Sequence, residues 1–282
     1  MTLPPIELGT LHGPFPVTLD PAVIRAYADA TNDPNPRYRD GSAVPVAFPV
    51  ILVFDAQTAG NSAVPRDAFR MARAVVHGEH DLLLHRPLVP GEDLAVFSEA
   101  ASVRITSAGT RVVLRMEMRD TSDQVAAEQW WTTFFAGAQL GENQGPDAPD
   151  HTFPESAREH PIGHHVVHVD TDQPTRYGEV SDDWSSHHFD RAVAEAEGFA
   201  DVFLHGLCTM AMCGQAVVET AAGGDPTRVR RLAVRFASPT MLDADLDVEL
   251  FRAGPSTVVF EATCAGATVI KHGWADLREP GQ

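Results

Sequence analysis

Three cysteines, Cys208, Cys213 and Cys264, are too few and odd in number to build a disulfide framework, and none stands in a C-x-x-C clip for a metal. No apolar run approaches the about 20 residues that a membrane span needs. The N-terminus, MTLPPIELGT, carries neither a basic region nor an apolar stretch, so no secretory signal is expected. Basic residues are scarce: 21 Lys and Arg stand against 39 Asp and Glu, a formal charge of -18. That field repels a phosphate backbone and argues against nucleic acid as a partner. A Gly-rich phosphate loop and a G-x-S-x-G nucleophile elbow are both missing. These absences leave a soluble protein of a reducing compartment, expected in the cytoplasm, without membrane or nucleic-acid partners.

What is present is ordinary globular material. Hydrophobic residues make up 44% and charged ones 21% of 282 residues, enough for two domains with a sizeable core. Composition shifts after Ala136, where residues 137–165 are rich in Gly, Pro, Asp and His and lack periodicity. The expected division is 1–140, a linker over 141–165, and 166–282.

The two flanking parts echo each other. Asp20-Pro21 opens the amphipathic run AVIRAYADATNDPNPRY, with Asp as N-cap and Pro at the first helical position. Asp172-Gln173-Pro174 opens a second helix before TRYGEVSDDWSSHHFD. Tyr27, Thr31, Asp33 and Tyr38 fall on Tyr177, Ser181, Asp183 and His188 at a common offset of 150. Pro87, Asp93 and Leu94 fall on Pro239, Asp245 and Leu246 at an offset of 152. The shared order argues for an internal duplication.

Alternating segments follow in each part. Val112, Leu114, Met116 and Met118 share one face of a strand, and further strands are expected at 94–105, 124–135, 229–237, 245–252, 256–264 and 268–277. The Ala- and Met-rich stretch 205–222 reads as a long buried helix, with 48–59 in the equivalent place of the first part. Antiparallel strands wrapped on one apolar helix, twice over, make an α+β architecture.

The densest chemistry is YGEVSDDWSSHHFD, residues 177–190. A helix ending near Asp183, followed by a turn, converges Asp183 and His188 on one point. A carboxylate beside an imidazole can orient a water and take its proton near neutral pH. Spacing alone favours the plainer reading of a helix-capping Asp183 and a surface His188. In Leu204-His205-Gly206-Leu207, unpaired amides at a helix start can hold an oxyanion, and Gly206 lets a carbonyl approach closely. A glycine kept for helix packing beside a buried His205 fits as well.

These residues resemble the MaoC-like (R)-specific enoyl-CoA hydratases, in which D-x-N-P-x-H precedes an H-G at a helix start. Here the first motif reads Asp183-Trp184-Ser185-Ser186-His187-His188 and the second Leu204-His205-Gly206-Leu207-Cys208-Thr209. Val76-His77-Gly78-Glu79-His80 and His85-Arg86-Pro87-Leu88 extend the likeness over nearly the whole chain, about residues 15–280, toward the hydratase unit of peroxisomal multifunctional enzymes. The resemblance implies a double hot-dog fold. It implies that Asp183 and His188 hold the water and shuttle protons, that the Gly206 N–H polarises the thioester carbonyl, and that Ser185 and His205 support the site. It makes the first half the shaper of an acyl tunnel, catalytically degenerate because Tyr38 stands where the histidine would be. One departure is plain: Ser185-Ser186 replaces the family's Asn-Pro, which survives as Asn35-Pro36 in the half that lacks the histidine. Serine is shorter and offers one donor, so it holds the site less firmly.

The expected activity is hydration of a 2-enoyl-CoA or dehydration of a 3-hydroxyacyl-CoA. The alternatives are a dehydratase on carrier-protein-bound chains and a non-catalytic acyl-CoA-binding subunit. The partners expected are an acyl-CoA thioester and a second copy in a homodimer. No cofactor or metal is expected beyond the CoA of the substrate. Arg230 and Arg231, within the basic stretch TRVRRLAVR, are candidates for the CoA phosphates or form a solvated basic edge. His160, His164, His165 and His168 read as part of a solvated linker, because no Cys or Glu joins them at a ligand spacing.

Overall fold

The computed structural model describes residues 6–279; the reading of the N-terminal sequence rests partly on residues 1–5, which lie outside the described residues. In chain order the main elements are β1 (His12–Thr18), α1 (Pro21–Ala30), α2 (Pro36–Arg39), α3 (Phe54–Gly60), α4 (Arg66–Met71), β2 (Ala74–Leu84), β3 (Asp93–Thr106), β4 (Gly109–Arg119) and β5 (Val125–Ala136). There follow β6 (Pro161–Val169), α5 (Gln173–Ser181), α6 (Arg191–Ala196), α7 (Gly206–Ala221), β7 (Val229–Phe236), β8 (Ala244–Arg252), β9 (Thr257–Cys264) and β10 (Ala267–Leu277). No helix among the described residues is long and apolar enough to cross a membrane.

The chain packs as two compact units. The first takes the described residues up to Val17, Val53–His85 and Asp93–Asp150; the second takes Thr18–Leu52, Arg86–Glu92 and the described residues from His151 on. The chain therefore passes between the units several times, and α1 and α2 pack with the C-terminal elements. Asn32 Nδ2 donates to Asp170 Oδ2 at 2.9 Å and to Gln173 Oε1 at 3.1 Å, and the Tyr27 and Tyr177 rings lie 6.0 Å apart.

In the first unit the strand order is β1-β3-β4-β5-β2, with antiparallel β3/β4, β4/β5 and β5/β2 pairs. The alternation expected of β4 is realised. Val112, Leu114, Met116 and Met118 are buried, while Arg115 Nε meets Glu128 Oε1 at 3.0 Å on the other face. Short α3 lies on β3 and β4 so closely that Ser98 Oγ donates to Ala56 O at 2.5 Å. The single helix expected over 48–59 is interrupted. Phe48–Leu52 is a 3₁₀ turn, and α3 starts only at Phe54. Pro49 and the β-branched Val50, Ile51 and Val53 disfavour one continuous α-helix.

The second unit repeats the plan with the order β7-β10-β9-β8-β6, all pairs antiparallel. Its helix, α7, lies against β6 to β9, and every residue from Leu207 to Val218 is buried. Each large apolar side chain so buried contributes roughly 1.5–3 kcal/mol. Gly214 lets the helix approach the sheet: a Cβ there would stand 3.1 Å from Leu232 Cδ2. The linker reading fails over 161–165, which open β6. His164, His165 and His168 lie on an edge strand paired with β8, and His168 Nδ1 is 2.8 Å from Asp245 Oδ1.

Candidate active site

The site is built on a helix end. Ser181 Oγ donates back to Tyr177 O at 2.8 Å, and Asp182 adopts a left-handed conformation (φ 58°) that ends α5. The first copy repeats the device: Thr31 Oγ1 donates to Tyr27 O at 2.9 Å, and Asn32 has φ 55°. Short polar side chains tolerate this conformation better than branched ones. The chain then leaves the helix axis, so residues five apart can meet.

Asp183 Oδ1 accepts from Ser185 N at 3.1 Å and from Ser185 Oγ at 2.6 Å. A 3₁₀ turn, Ser186–His188, follows and brings the His188 ring inward, 6% exposed. His188 Nδ1 lies 2.8 Å from Phe203 O, and a carbonyl only accepts, so Nδ1 carries the proton and Nε2 keeps the lone pair. His205, the N-cap of α7, donates from Nε2 to Asp183 O at 3.0 Å, leaving Nδ1 buried without a hydrogen-bond partner. Its ring lies 3.7 Å from that of His188 and 5.0 Å from that of Tyr177.

One oxygen or nitrogen of each of Asp183, His188 and His205 falls within 4.8 Å of the others, the one such convergence of His, Cys, Asp or Glu among the described residues. A single water spans that gap with hydrogen bonds of about 2.8 Å. Electrostatics sort the roles. Burial pushes the Asp183 carboxyl up, but the Ser185 hydroxyl, His205, the Ser185 amide and His188 together hold it below the usual carboxylate value. Burial, then His205 and His187, depress His188 well below an ordinary imidazole, against the opposing Phe203 carbonyl and Asp183. Burial likewise lowers His205, with Asp183 opposing. At neutral pH the group is an aspartate beside neutral imidazoles, one presenting a lone pair.

Gly206 is the first residue of α7, where the opening amides have no partner within the helix. It also sits against an aromatic ring: a Cβ there would meet Phe236 Cε1 at 3.1 Å. Arg230 and Arg231 are placed toward β10. Arg230 Nη2 lies 3.6 Å from Asp276 Oδ2, and the Arg231 guanidinium sits 5.8 Å over the Trp274 ring.

The first copy has diverged. Asp33 Oδ1 accepts from Asn35 N at 3.1 Å, as Asp183 does from Ser185 N, but Asn35 Oδ1 caps the next turn by accepting from Arg37 N. Tyr38 is fully buried, its phenol pushed up by burial and then by Asp33 and Glu219. Asp33 itself is raised to about 6, chiefly by burial. Two residues beside Asp183 and His188 escaped the sequence reading. His187 Nε2 lies 3.1 Å from His188 Nε2, and His187 Nδ1 lies 3.0 Å from Glu197 Oε2. His187 was visible only as a neighbour of His188, and Glu197 belongs to no recognisable spacing.

Comparison with known proteins identifies the family. The MaoC like domain matches residues 153–274, and the dehydratase domain region of the FAS1-like type matches residues 8–129. The chain is 30% identical over 201 residues to 3-hydroxyacyl-thioester dehydratase Y of Mycobacterium tuberculosis, covering 69% of this chain and 67% of that protein. It is 27% identical over 252 residues to the mouse (Mus musculus) peroxisomal multifunctional enzyme type 2, covering 84% of this chain and only 32% of that longer protein. The structure of a MaoC-like dehydratase from Phytophthora capsici superposes with a TM-score of 0.82 at 22% identity, covering 95% of this chain and 96% of that one. The shared fold is the double hot-dog, and the chain belongs to the MaoC-like dehydratase family of hydro-lyases.

Proposed function

We propose that the chain is an (R)-specific 2-enoyl-CoA hydratase that also runs in reverse as a 3-hydroxyacyl-CoA dehydratase. The observation that carries this reading is the convergence of Asp183, His188 and His205 within 4.8 Å beside the start of α7. In hydration, Asp183 holds a water against His188 Nε2. The water's O–H bond breaks, its proton passes to Nε2, and its oxygen bonds C3 while the C2=C3 electron pair moves toward the carbonyl. The Gly206 N–H receives the enolate oxygen, a donor already aimed where charge develops. His188 then returns the proton to C2. Atoms and charges balance without a cofactor, because the thioester itself acidifies C2.

In this reading Arg230, 58% exposed, and Arg231 meet the CoA phosphates, and the first half shapes the acyl tunnel. The protein acts as a cytoplasmic homodimer. The mycobacterial relative's description as a thioester dehydratase supports the substrate class. The charge of -18 favours free CoA esters over acidic carrier proteins. The test offers purified protein crotonyl-CoA, longer trans-2-enoyl-CoAs and their carrier-bound counterparts, follows the enoyl-thioester absorbance, and resolves the product's hand. Turnover of CoA esters to the 3R product is expected. A 3S product, preference for carrier-bound chains, or binding without turnover at every chain length contradicts the reading.

A further inference from the structure

Beyond His188, the site continues into a chain of contacts whose outer members have no part in the reaction above. Its members are Glu197 at the C-cap of α6, His187, His188 and the Phe203 carbonyl. His188 Nδ1–H is committed to Phe203 O at 2.8 Å. His187 Nδ1 stands 3.0 Å from the Glu197 carboxylate, which can only accept, so that nitrogen also carries its proton. Both outer nitrogens are therefore donors. The 3.1 Å gap between the two Nε2 atoms faces lone pair to lone pair until one further proton enters it. The His187 ring is fixed for this meeting by stacking parallel to Phe203, 5.3 Å away at 3°, and by Phe199 at 6.1 Å.

We propose that His187, held by Glu197, is a positioning residue that shares with His188 the proton in transit between water and C2. The proposal rests on His188 being the base of the hydration reading. After the water's O–H bond breaks, the proton on His188 Nε2 completes the His188 Nε2–H···Nε2 His187 hydrogen bond. The Glu197 carboxylate is the nearby counter-charge. When C2 takes the proton, the His188 Nε2–H bond breaks and the hydrogen bond to His187 is given up, so the two Nε2 lone pairs face each other again. Asp183 and His205 also approach His188, their ligand atoms lying within 4.8 Å of one another, so the carboxylates of both Asp183 and Glu197 act on the proton. A charge-assisted hydrogen bond of this kind is about twice as strong as a neutral one.

The test combines His187→Ala with Glu197→Gln. In His187→Ala, kcat for enoyl-CoA hydration falls about tenfold or more, the lower range of a proton-handling role, with KM little changed. Added imidazole restores part of that loss, whereas pyrazole, of equal size but a poor base, does not. In Glu197→Gln the acid limb of kcat/KM moves to lower pH, because the shared proton has lost its counter-charge. A turnover-independent arm follows the His188 ring 15N shifts with pH in wild-type and Glu197→Gln protein, and a lower midpoint is expected in the variant. An unshifted midpoint, or equal rescue by imidazole and pyrazole, overturns the shared proton. A shifted midpoint in a protein that turns over no enoyl thioester leaves the shared proton standing and removes the hydratase reading instead.

Discussion

Ser185 Oγ donates to Asp183 Oδ1 at 2.6 Å, so the side chain that replaces the family asparagine binds the carboxylate directly. In the first copy Asn35 turns away and caps the following turn instead. Backbone conformation does not differ: φ and ψ are −55° and 118° at Ser185 and −56° and 119° at Asn35. The exchange of Asn for Ser therefore leaves the turn intact and moves one hydrogen bond onto the Asp183 carboxylate.

Removal of that hydroxyl in Ser185→Ala lowers kcat about tenfold, in keeping with the roughly 1.5–3 kcal/mol of a hydrogen bond to a charged group. Ser185→Asn keeps the backbone amide on Asp183 and retains more activity. Steady-state kinetics on both variants check this, and equal losses contradict it.

Gly206→Ala separates crowding from chemistry. The new Cβ meets the Phe236 ring at 3.1 Å, a contact that costs roughly 1–3 kcal/mol of stability by overpacking. Phe236→Leu in the same chain restores the melting temperature. Alanine keeps the amide N–H, so kcat/KM that stays low in the double variant shows that the enolate oxygen needs the close approach a glycine allows, and recovery of both shows that the missing Cβ serves packing instead.

Asp33 costs stability at neutral pH. Its folded value, about 6, lies above the ordinary 3.8, so the unfolded chain ionises first and stability falls as pH rises from about 4 to about 6. Asp33→Asn, which still accepts from the Asn35 amide, gains about 3 kcal/mol at pH 7.5 and nothing at pH 4. Denaturant unfolding at the two pH values decides it.

His80 works in the opposite sense in the first unit. It is fully buried, 3.0 Å from Gln129 Oε1, and burial lowers it to about 4. His77, stacked 3.8 Å over Trp131, is lowered too, by burial and then by His80. Depressed imidazoles contribute stability above the unfolded value of about 6.5, and that stability is lost as pH falls from there toward 4. The loss from His80 is about 3 kcal/mol, measurable by denaturant unfolding followed through tryptophan fluorescence, and it disappears in His80→Gln.

Legibility in the sequence followed the physics of each element. β4 announced itself because its Val, Leu and Met alternate with Arg and Glu, and α7 because all of its buried residues from Leu207 to Val218 but Gln215 are apolar or small. β6 was hidden because an edge strand needs little apolar face: only Val167 and Val169 are buried among its histidines. β1 gave no strand signal because Gly13, Pro14 and Pro16 break its alternation. Asp183 and His188 were visible through the repeat that sets them over Asp33 and Tyr38. His187 and Glu197 were not, since their meeting depends on where α6 returns the chain, a tertiary fact that no local period encodes.

The most direct test of the central claim is hydration of crotonyl-CoA by wild-type, Asp183→Asn and His188→Gln proteins, followed as loss of enoyl-thioester absorbance. Wild-type turnover with kcat reduced roughly 10²–10⁴-fold in each variant, and substrate binding retained, is the predicted result. Unchanged turnover in either variant would show that the Asp183–His188 pair does not carry the chemistry.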